Sequence, residues 1–333
     1  MSVEKSTHPD CASFSHLFVM DSVDRLNFEL DTSVRIAKAL QDRGHQTFFT
    51  TITGLSINSE HGPRALSQAM SFGDDPKSLS LREGVQVSLN SFSAIHMRKD
   101  PPTDEAYWTA TWVLDAAIPR VRRYNNFDAL RGINEKLAIF RFPTASSPGL
   151  VSSNIDQLLE FHHNVAKGDS IIKPLMLYGG YGVERLQSEH LNDQELRQKL
   201  SDQTNNGANT RIIQTFNTQI FNGEIRAFTA FGEAITWCLK MPKEGSYLAN
   251  SGHGSTIEAF TPNQKLKETT EGIAKELMAD GIYFIGFDII GEDISEINIT
   301  SPRLLSPDLN QGHFHRIAQL IHQDLRAQSA SKT

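Results

Sequence analysis

The sequence predicts an α/β protein of two domains, the first built on an open parallel sheet, and three observations carry that expectation. The chain has 333 residues, about twice the roughly 150 residues of an average domain. Near its start, short apolar runs alternate with a segment of helical apolar spacing, the pattern of a βαβ unit. Hydrophobic residues make up 39% and charged residues 21%, as in a folded globular chain, and no apolar run approaches the roughly 20 residues of a membrane-spanning helix.

The elements follow in order. His16-Leu-Phe-Val-Met-Asp21 is an apolar run ending in an acid and reads as a strand. Ser33 to Arg43 carries Val34, Ile36, Ala37 and Leu40 at helical spacing before Gly44. His45 to Thr51 is β-branched and aromatic, hence a strand. Residues 58–80 are polar and rich in Ser and Gly and read as loop. Ala94-Ile-His-Met97 is a buried strand whose end runs into Arg98-Lys-Asp-Pro-Pro102, where open α/β sheets place ligands.

The polar stretch Arg120 to Asn126 suggests a boundary, giving domains 1–123 and 124–333. Beyond it, Asn134 to Phe140 reads as a short helix stopped before Pro143, Ile155 to Val165 as a helix, and Ser170 to Leu175 as a strand. A turn with Gly179, Gly180 and Gly182 follows, then a polar segment 188–210 and strand Arg211 to Phe216. A hairpin-like pair surrounds Asn222-Gly223 and Gly232, and 242–256 reads as loop. A helix ends at Ala274 to Met278, and strand Ile282 to Ile290 turns through Gly291-Glu-Asp293 into Ile294 to Ile299.

Composition narrows the partners. Lys plus Arg total 32 against 39 Asp plus Glu, a net charge of −7, the wrong balance for binding a phosphate backbone, so no nucleic acid is expected. The opening Met1 to Asp10 is polar, without the apolar core of a secretory signal, which points to the cytoplasm and away from membranes. Cys11 and Cys238 are the two cysteines, too few for a disulfide framework. His162-His163 and His313-x-His315 invite a metal reading, but adjacent residues do not share a helix face, and an i,i+2 pair does so only on a strand.

Two segments carry chemistry. In Phe287-Asp288-Ile289 and Glu296-Ile297-Asn298, polar residues alternate with apolar ones, so Asp288, Glu296 and Asn298 converge on one face of a hairpin. Three hard oxygen donors there suit magnesium, which one or two carboxylates hold beside substrate phosphates; the plain alternative is the exposed face of an amphipathic hairpin. Lys173 ends an apolar strand shortly before a glycine cluster. A lysine in that place meets phosphate as a point charge, and glycines let backbone N–H groups approach; taken alone, Tyr178-Gly-Gly-Tyr-Gly182 is better explained by a plain hairpin turn.

Together the segments resemble the bacterial type of glutathione synthetase, of the ATP-grasp superfamily. The matching pieces are Val19-Met-Asp21 with Arg43-Gly44, Met97-Arg-Lys-Asp-Pro-Pro102, Leu130-Arg131 with Asn134-Glu-Lys-Leu137, Ile172-Lys-Pro-Leu175 with Gly179-Gly180, Gln214, Gly223 with Arg226, and Ile285-Gly-Phe-Asp-Ile-Ile-Gly291 through Glu296-Ile-Asn-Ile-Thr-Ser-Pro302. They lie in the family's order across nearly the whole chain. The resemblance implies a pre-ATP-grasp domain followed by an ATP-grasp domain of two α+β lobes, a lid at about 140–212 and a metal-bearing lobe at about 213–333. It implies a ligase that phosphorylates a carboxylate with ATP and lets an amine attack the acyl phosphate. In the family the acid is γ-glutamylcysteine and the amine is glycine; a homo-oligomer is also implied.

Carried over by motif, Lys136 and Lys173 contact ATP phosphates with Gly179 and Gly180, while Gln214, Phe216 and Glu224 contact the nucleotide. Asp288, Glu296 and Asn298 bind two Mg2+ ions, with Mn2+ an alternative. Arg226 and Lys173 are the catalytic candidates, Arg226 stabilising the acyl phosphate and the tetrahedral oxyanion unless it is a surface arginine on a strand. Arg98 meets a substrate carboxylate or orients the acceptor; Lys99-Asp100 could instead bridge domains.

The departures fall on substrate-facing loops. Lys173-Pro-Leu-Met-Leu-Tyr-Gly-Gly180 lacks an acid and a glycine of the family pattern, so the phosphate-covering loop has another shape. Lys240 stands where the family has arginine, Tyr247 where it has asparagine, and Ser251 where it has glycine, in Gly245-Ser-Tyr-Leu-Ala-Asn-Ser-Gly252. Arg303 replaces a small hydroxyl residue and either meets a carboxylate or faces solvent. Lys240, Tyr247, Asn250 and Arg303 are thus the candidate substrate residues beside Arg98. A paralogous ligase forming a different amide and a non-catalytic nucleotide-binding relative are the alternatives to a glutathione synthetase.

Overall fold

The computed structural model describes residues 13–28, 31–249, 254–306 and 311–331. The chain forms two compact units, one of Met1–Ala129, Met278–Phe284 and Leu309–Thr333, the other of Leu130–Leu277 and Ile285–Asp308. This differs from a single cut at 123/124, because the carboxy-terminal segment belongs to the amino-terminal unit.

In that unit, β1 (Ser15–Val19), α1 (Thr32–Asp42) and β2 (Gln46–Thr50) form the expected βαβ opening. The Asp31 side chain caps α1 by accepting from Val34 N, and Val34, Ile36, Ala37 and Leu40 are buried. Next come β3 (Leu55–Asn58), β4 (Gly62–Ser71), β5 (Ser80–Leu81), β6 (Val85–Ser88), β7 (Ala94–Met97), α2 (Glu105–Asp115) and β8 (Arg122–Tyr124). The sheet order is β3-β4-β2-β1-β7-β8, with β5 and β6 also on β4. Strands β2, β1, β7 and β8 are mutually parallel, and β4 joins β2 antiparallel. Residues 58–80, expected to be loop, thus contain the ten-residue β4. Its buried positions include Pro63, Ala65 and Ser67, which give little hydrophobic contrast against their neighbours.

The second unit begins in α3 (Phe127–Gly132) and holds two sheets. Asn134 starts no helix: its side chain accepts from Lys136 N and Leu137 N, closing a turn that competes with helix, and one 3-10 turn follows at Ala138–Arg141. The first sheet comprises β9 (Gly149–Ser152), β10 (Asp169–Pro174), β11 (Glu184–Gln187) and β12 (Arg211–Thr215), antiparallel in the order β11-β10-β12-β9. Helices α4 (Ile155–Glu160) and α5 (Asp193–Thr204) cover it through Leu158, Leu159, Leu196 and Leu200, which meet Ile172, Leu186 and Ile213. The polar segment 188–210 is therefore largely α5, opened by a capping box between Asn192 and Glu195. The second sheet comprises β13 (Glu224–Ala230), β14 (Glu233–Met241), β15 (Thr256–Ala259), β16 (Phe284–Ile290) and β17 (Asp293–Asn298), in the order β15-β14-β13-β16-β17. Helix α6 (Gln264–Ala279) buries Leu266, Ile273, Ala274 and Leu277.

The chain ends in α7 (Gln311–Ala330), which packs on α1 and buries Phe314, Ile317, Ala318, Ile321 and Leu325 at helical spacing. Arg122 fastens it with two bonds to Asp324, at 2.8 and 2.7 Å. Across this core runs a chain of four imidazoles. His96 meets His16 at 3.1 Å, His16 meets His45 at 2.8 Å, and His45 meets His322 of α7 at 2.9 Å. His16, His45 and His96 are buried. Burial lowers all three, with the neighbouring imidazoles adding to it at His16 and His45 and the charges of Arg43 and Arg98 adding to it at His45 and His96: His16 lies well below its usual value, His45 at about 4 and His96 at about 3.

Candidate active site

The candidate site is one face of the sheet β15-β14-β13-β16-β17. Successive strand residues point to opposite faces, so Glu224 and Arg226 of β13 share a face while Ile225 and Ala227 line the other. Lys240 of β14 lies across from Glu224. On the next pair, Gly286 faces Asn298 and Asp288 faces Glu296. The convergence of Asp288, Glu296 and Asn298 read from alternation is present, and Lys240, Glu224 and Arg226 extend the same polar face.

These side chains form a connected charge network. Asp288 Oδ1 accepts from Lys240 Nζ at 2.8 Å, and Asp288 Oδ2 accepts from Arg226 Nη1 at 3.1 Å and from Asn298 Nδ2 at 2.9 Å. Lys240 also pairs with Glu224. Burial opposes ionisation of Asp288, but the Lys240 and Arg226 charges outweigh it and hold the carboxyl well below the usual range. Lys240 is raised for the reciprocal reason: its burial is overcome by Asp288 and Glu224. Desolvation, with Asp288 adding to it, pushes Glu224 up against the pull of Lys240. Arg226 lies over Gly286, where an added Cβ would stand 2.3 Å from Nη2. Only glycine leaves room for the guanidinium.

Lys136 pairs with Glu296 at 3.0 Å and donates to Leu177 O at 2.7 Å. Lys173 of β10 makes no side-chain hydrogen bond or ion pair among the described residues, and desolvation lowers it from its ordinary value despite the nearby carboxylates Glu296 and Glu224. An ammonium held without a partner is suited to an incoming anion. Behind it, Gly179, Gly180 and Gly182 all take left-handed backbone, and at Gly182 a Cβ would stand 2.8 Å from Pro174 Cγ. The loop bearing them exposes Met176, Leu177, Tyr178 and Tyr181.

Phe216 and Gln214 are buried at the end of β12. The Arg185 guanidinium stacks 3.7 Å from the Phe216 centroid and is fixed by two bonds to Asp169, at 2.8 and 2.6 Å. Tyr247 meets Phe216 edge-on at 5.9 Å, and its hydroxyl accepts from Arg185 N at 3.3 Å. Tyr247, expected beside the substrate, thus packs with Phe216, which was expected to contact the nucleotide. Arg303 has an exposed side chain, and its carbonyl accepts from Arg226 at 3.5 Å. Arg98 belongs to the amino-terminal unit, where it is buried and donates to Ser33 Oγ at 2.9 Å. Asn250 and Ser251 lie outside the described residues.

Three further residues support the site without having been singled out from sequence. Glu135 Oε1 accepts from Ile299 N, Thr300 N and Thr300 Oγ1 at 2.7, 2.9 and 2.9 Å, tying the turn that carries Lys136 to the end of β17. Its position between Asn134 and Lys136 was the available signal. Arg185 and Gly286 act through tertiary neighbours; Gly286 falls within the Ile285-Gly-Phe-Asp motif, whereas nothing local marks Arg185.

Among the described residues no three His, Cys, Asp or Glu side chains gather as a metal-binding group. The donor set nevertheless fits a hard cation shared with phosphates: two carboxylates on adjacent strands, and an Asn298 whose Nδ2 is spent on Gly286 O and Asp288 while its Oδ1 is uncommitted.

Comparison with known proteins agrees with this geometry. Residues 14–131 match the model for the prokaryotic glutathione synthetase N-terminal domain, and 135–307 that for the prokaryotic glutathione synthetase ATP-grasp domain. Glutathione synthetase of Parasynechococcus marenigrum is 31% identical over 313 residues, covering 92% of this chain and 99% of that one. The Pseudomonas syringae pv. tomato glutathione synthetase is 32% identical, covering 85% and 88%. Among solved structures, D-cycloserine synthetase superposes with a TM-score of 0.64 at 13% identity, over 93% of this chain and 99% of that one. A Chryseobacterium gregarium RiPP-associated ATP-grasp ligase superposes with 0.63 at 12% identity, over 93% and 97%. Both share the fold. The chain is a member of the prokaryotic glutathione synthetase family, an ATP-dependent ligase that forms carbon–nitrogen bonds.

Proposed function

We propose that this ligase joins γ-glutamylcysteine to glycine through an acyl phosphate, with release of ADP and phosphate. The observation that carries the reading is the face that sets Arg226, Asp288, Glu296 and Asn298 beside Lys173, which has no side-chain partner among the described residues. Lys173 and Lys136 hold the ATP phosphates as point charges, and Gly179 and Gly180 bring backbone N–H groups to them. Phe216, Gln214 and Glu224 receive the nucleoside. Asp288, Glu296 and Asn298 hold the divalent ions, magnesium in preference to manganese; when bound, these neutralise phosphate charge. Arg226 faces the reacting carboxylate, its forked donors stabilising first the acyl phosphate and then the oxyanion formed as the amine adds. Phosphoryl transfer asks mainly for positioning and charge neutralisation, which agrees with a site holding lysines, an arginine and carboxylates.

Arg98, Lys240, Tyr247, Asn250 and Arg303 are proposed as the residues that select acid and amine. The protein works in the cytoplasm as a homo-oligomer. A second reading, a ligase redirected to another acid or amine, is favoured by one observation: Lys240 stands at an arginine position of the family and is committed to Glu224 and Asp288. Phosphate release with ATP, Mg2+ and γ-glutamylcysteine, with glycine and then other amines, separates the two when the product is weighed by mass spectrometry. Glutathione from glycine supports the first; release only with another pair supports the second; no release with any pair overturns both.

A further inference from the structure

The carboxylates assigned to metal are all occupied by the protein's own cations. Asp288 gives Oδ1 to Lys240 and Oδ2 to Arg226, and Glu296 is paired with Lys136. Lys240 is only 4% exposed and is held from the other side by Glu224. Lys136, Lys173, Arg226 and Lys240 thus face Glu224, Asp288, Glu296 and, bonded to the backbone of Ile299 and Thr300, Glu135. A free divalent ion must displace these paired cations, whereas nucleotide phosphates can draw the cations to themselves.

We propose that Lys240 is the resident counter-ion of Asp288 and withholds that carboxylate from free metal, so that the site takes up the divalent ion together with nucleotide phosphates. The inference rests on Asp288 being a metal ligand. Lys240 reaches Asp288 across β13 from β14 and has a second carboxylate, Glu224, to retire to. Phosphates draw off part of the cationic field, Asp288 is released to the ion, and Lys240 stays paired with Glu224. Metal and nucleotide are thereby coupled, each raising the affinity for the other.

Mn2+ binding read by electron paramagnetic resonance, with and without a non-hydrolysable ATP analogue, tests this on the full chain. Wild type is expected to bind free Mn2+ at least about tenfold more weakly than it does with the analogue. Lys240→Met should bind free Mn2+ about tenfold more tightly than wild type and narrow that gap, whereas Lys240→Arg, which keeps the charge, should preserve it. Glu224→Gln leaves Lys240 with Asp288 alone and should weaken free Mn2+ binding further, which keeps the idea testable should Lys240→Met fold poorly. A Lys240→Met protein binding free Mn2+ no better than wild type, or a gain in Glu224→Gln, overturns the proposal. Absence of Mn2+ binding by wild type even with the analogue overturns the metal assignment, and this inference with it.

Discussion

Two buried polar networks, one in each unit, keep nitrogen and oxygen atoms satisfied away from water by opposite means. In the ATP-grasp unit, Asp288 stays ionised because Lys240 and Arg226 supply opposite charge at 2.8 and 3.1 Å. In the amino-terminal unit, His16, His45 and His96 are kept neutral, and each ring satisfies the next. The first arrangement costs desolvation and leaves charges that a ligand can recruit. The second holds strands and helix together and offers a ligand nothing. Charge is retained where chemistry needs it and removed where packing suffices.

The largest effect that would test this contrast is in the charged network. Asp288→Asn should lower ATP-dependent phosphate release about 10^3-fold; a variant with near wild-type turnover would break the comparison. Gly286→Ala comes next. Its Cβ would meet the Arg226 guanidinium at 2.3 Å, and the displaced arginine should cost about 10^2-fold in kcat with little change in ATP KM.

The neutral network makes its own prediction in pH. Folded His45 and His96 titrate at about 4 and about 3, against 6.5 for a free ring. Below pH 6.5 the unfolded chain therefore binds more protons than the folded one. The rings' contribution to stability is full above pH 6.5 and is lost as pH falls towards 3. Urea midpoints should drop over that window, with unfolding near pH 5 taking up about two protons or more from His16, His45 and His96; a flat profile would mean that the rings are charged in the fold. The smallest effect belongs to the aromatic cluster. Arg185→Met should weaken binding of an ATP analogue about fivefold, and Tyr247→Phe about threefold or less, by calorimetry.

How much of this was legible in the sequence depends on the distance over which each feature is decided. Asp288, Glu296 and Asn298 are set by period-two alternation within one hairpin, and their common face could be read directly. The βαβ opening was legible for the same reason. Strand β4 was not, because Pro63, Ala65 and Ser67 do not look buried, and α5 was obscured by its polar face although Asn192 and Glu195 spelled its cap. Lys240 was noticed as a departure, but its partners depend on the register of β14 on β13 and the neighbour beyond it. The histidine chain joins positions 16, 45, 96 and 322, which no local pattern relates.

That chain has one more property. A neutral imidazole carries a single N–H, so each interior ring donates on one side and accepts on the other. If His16 donates to His96, then His45 must donate to His16 and His322 to His45; reversing any bond reverses all three. With all four rings neutral there are two such arrangements and the chain is one dipole running from the sheet to α7; a proton added to His322 selects the arrangement in which it donates to His45.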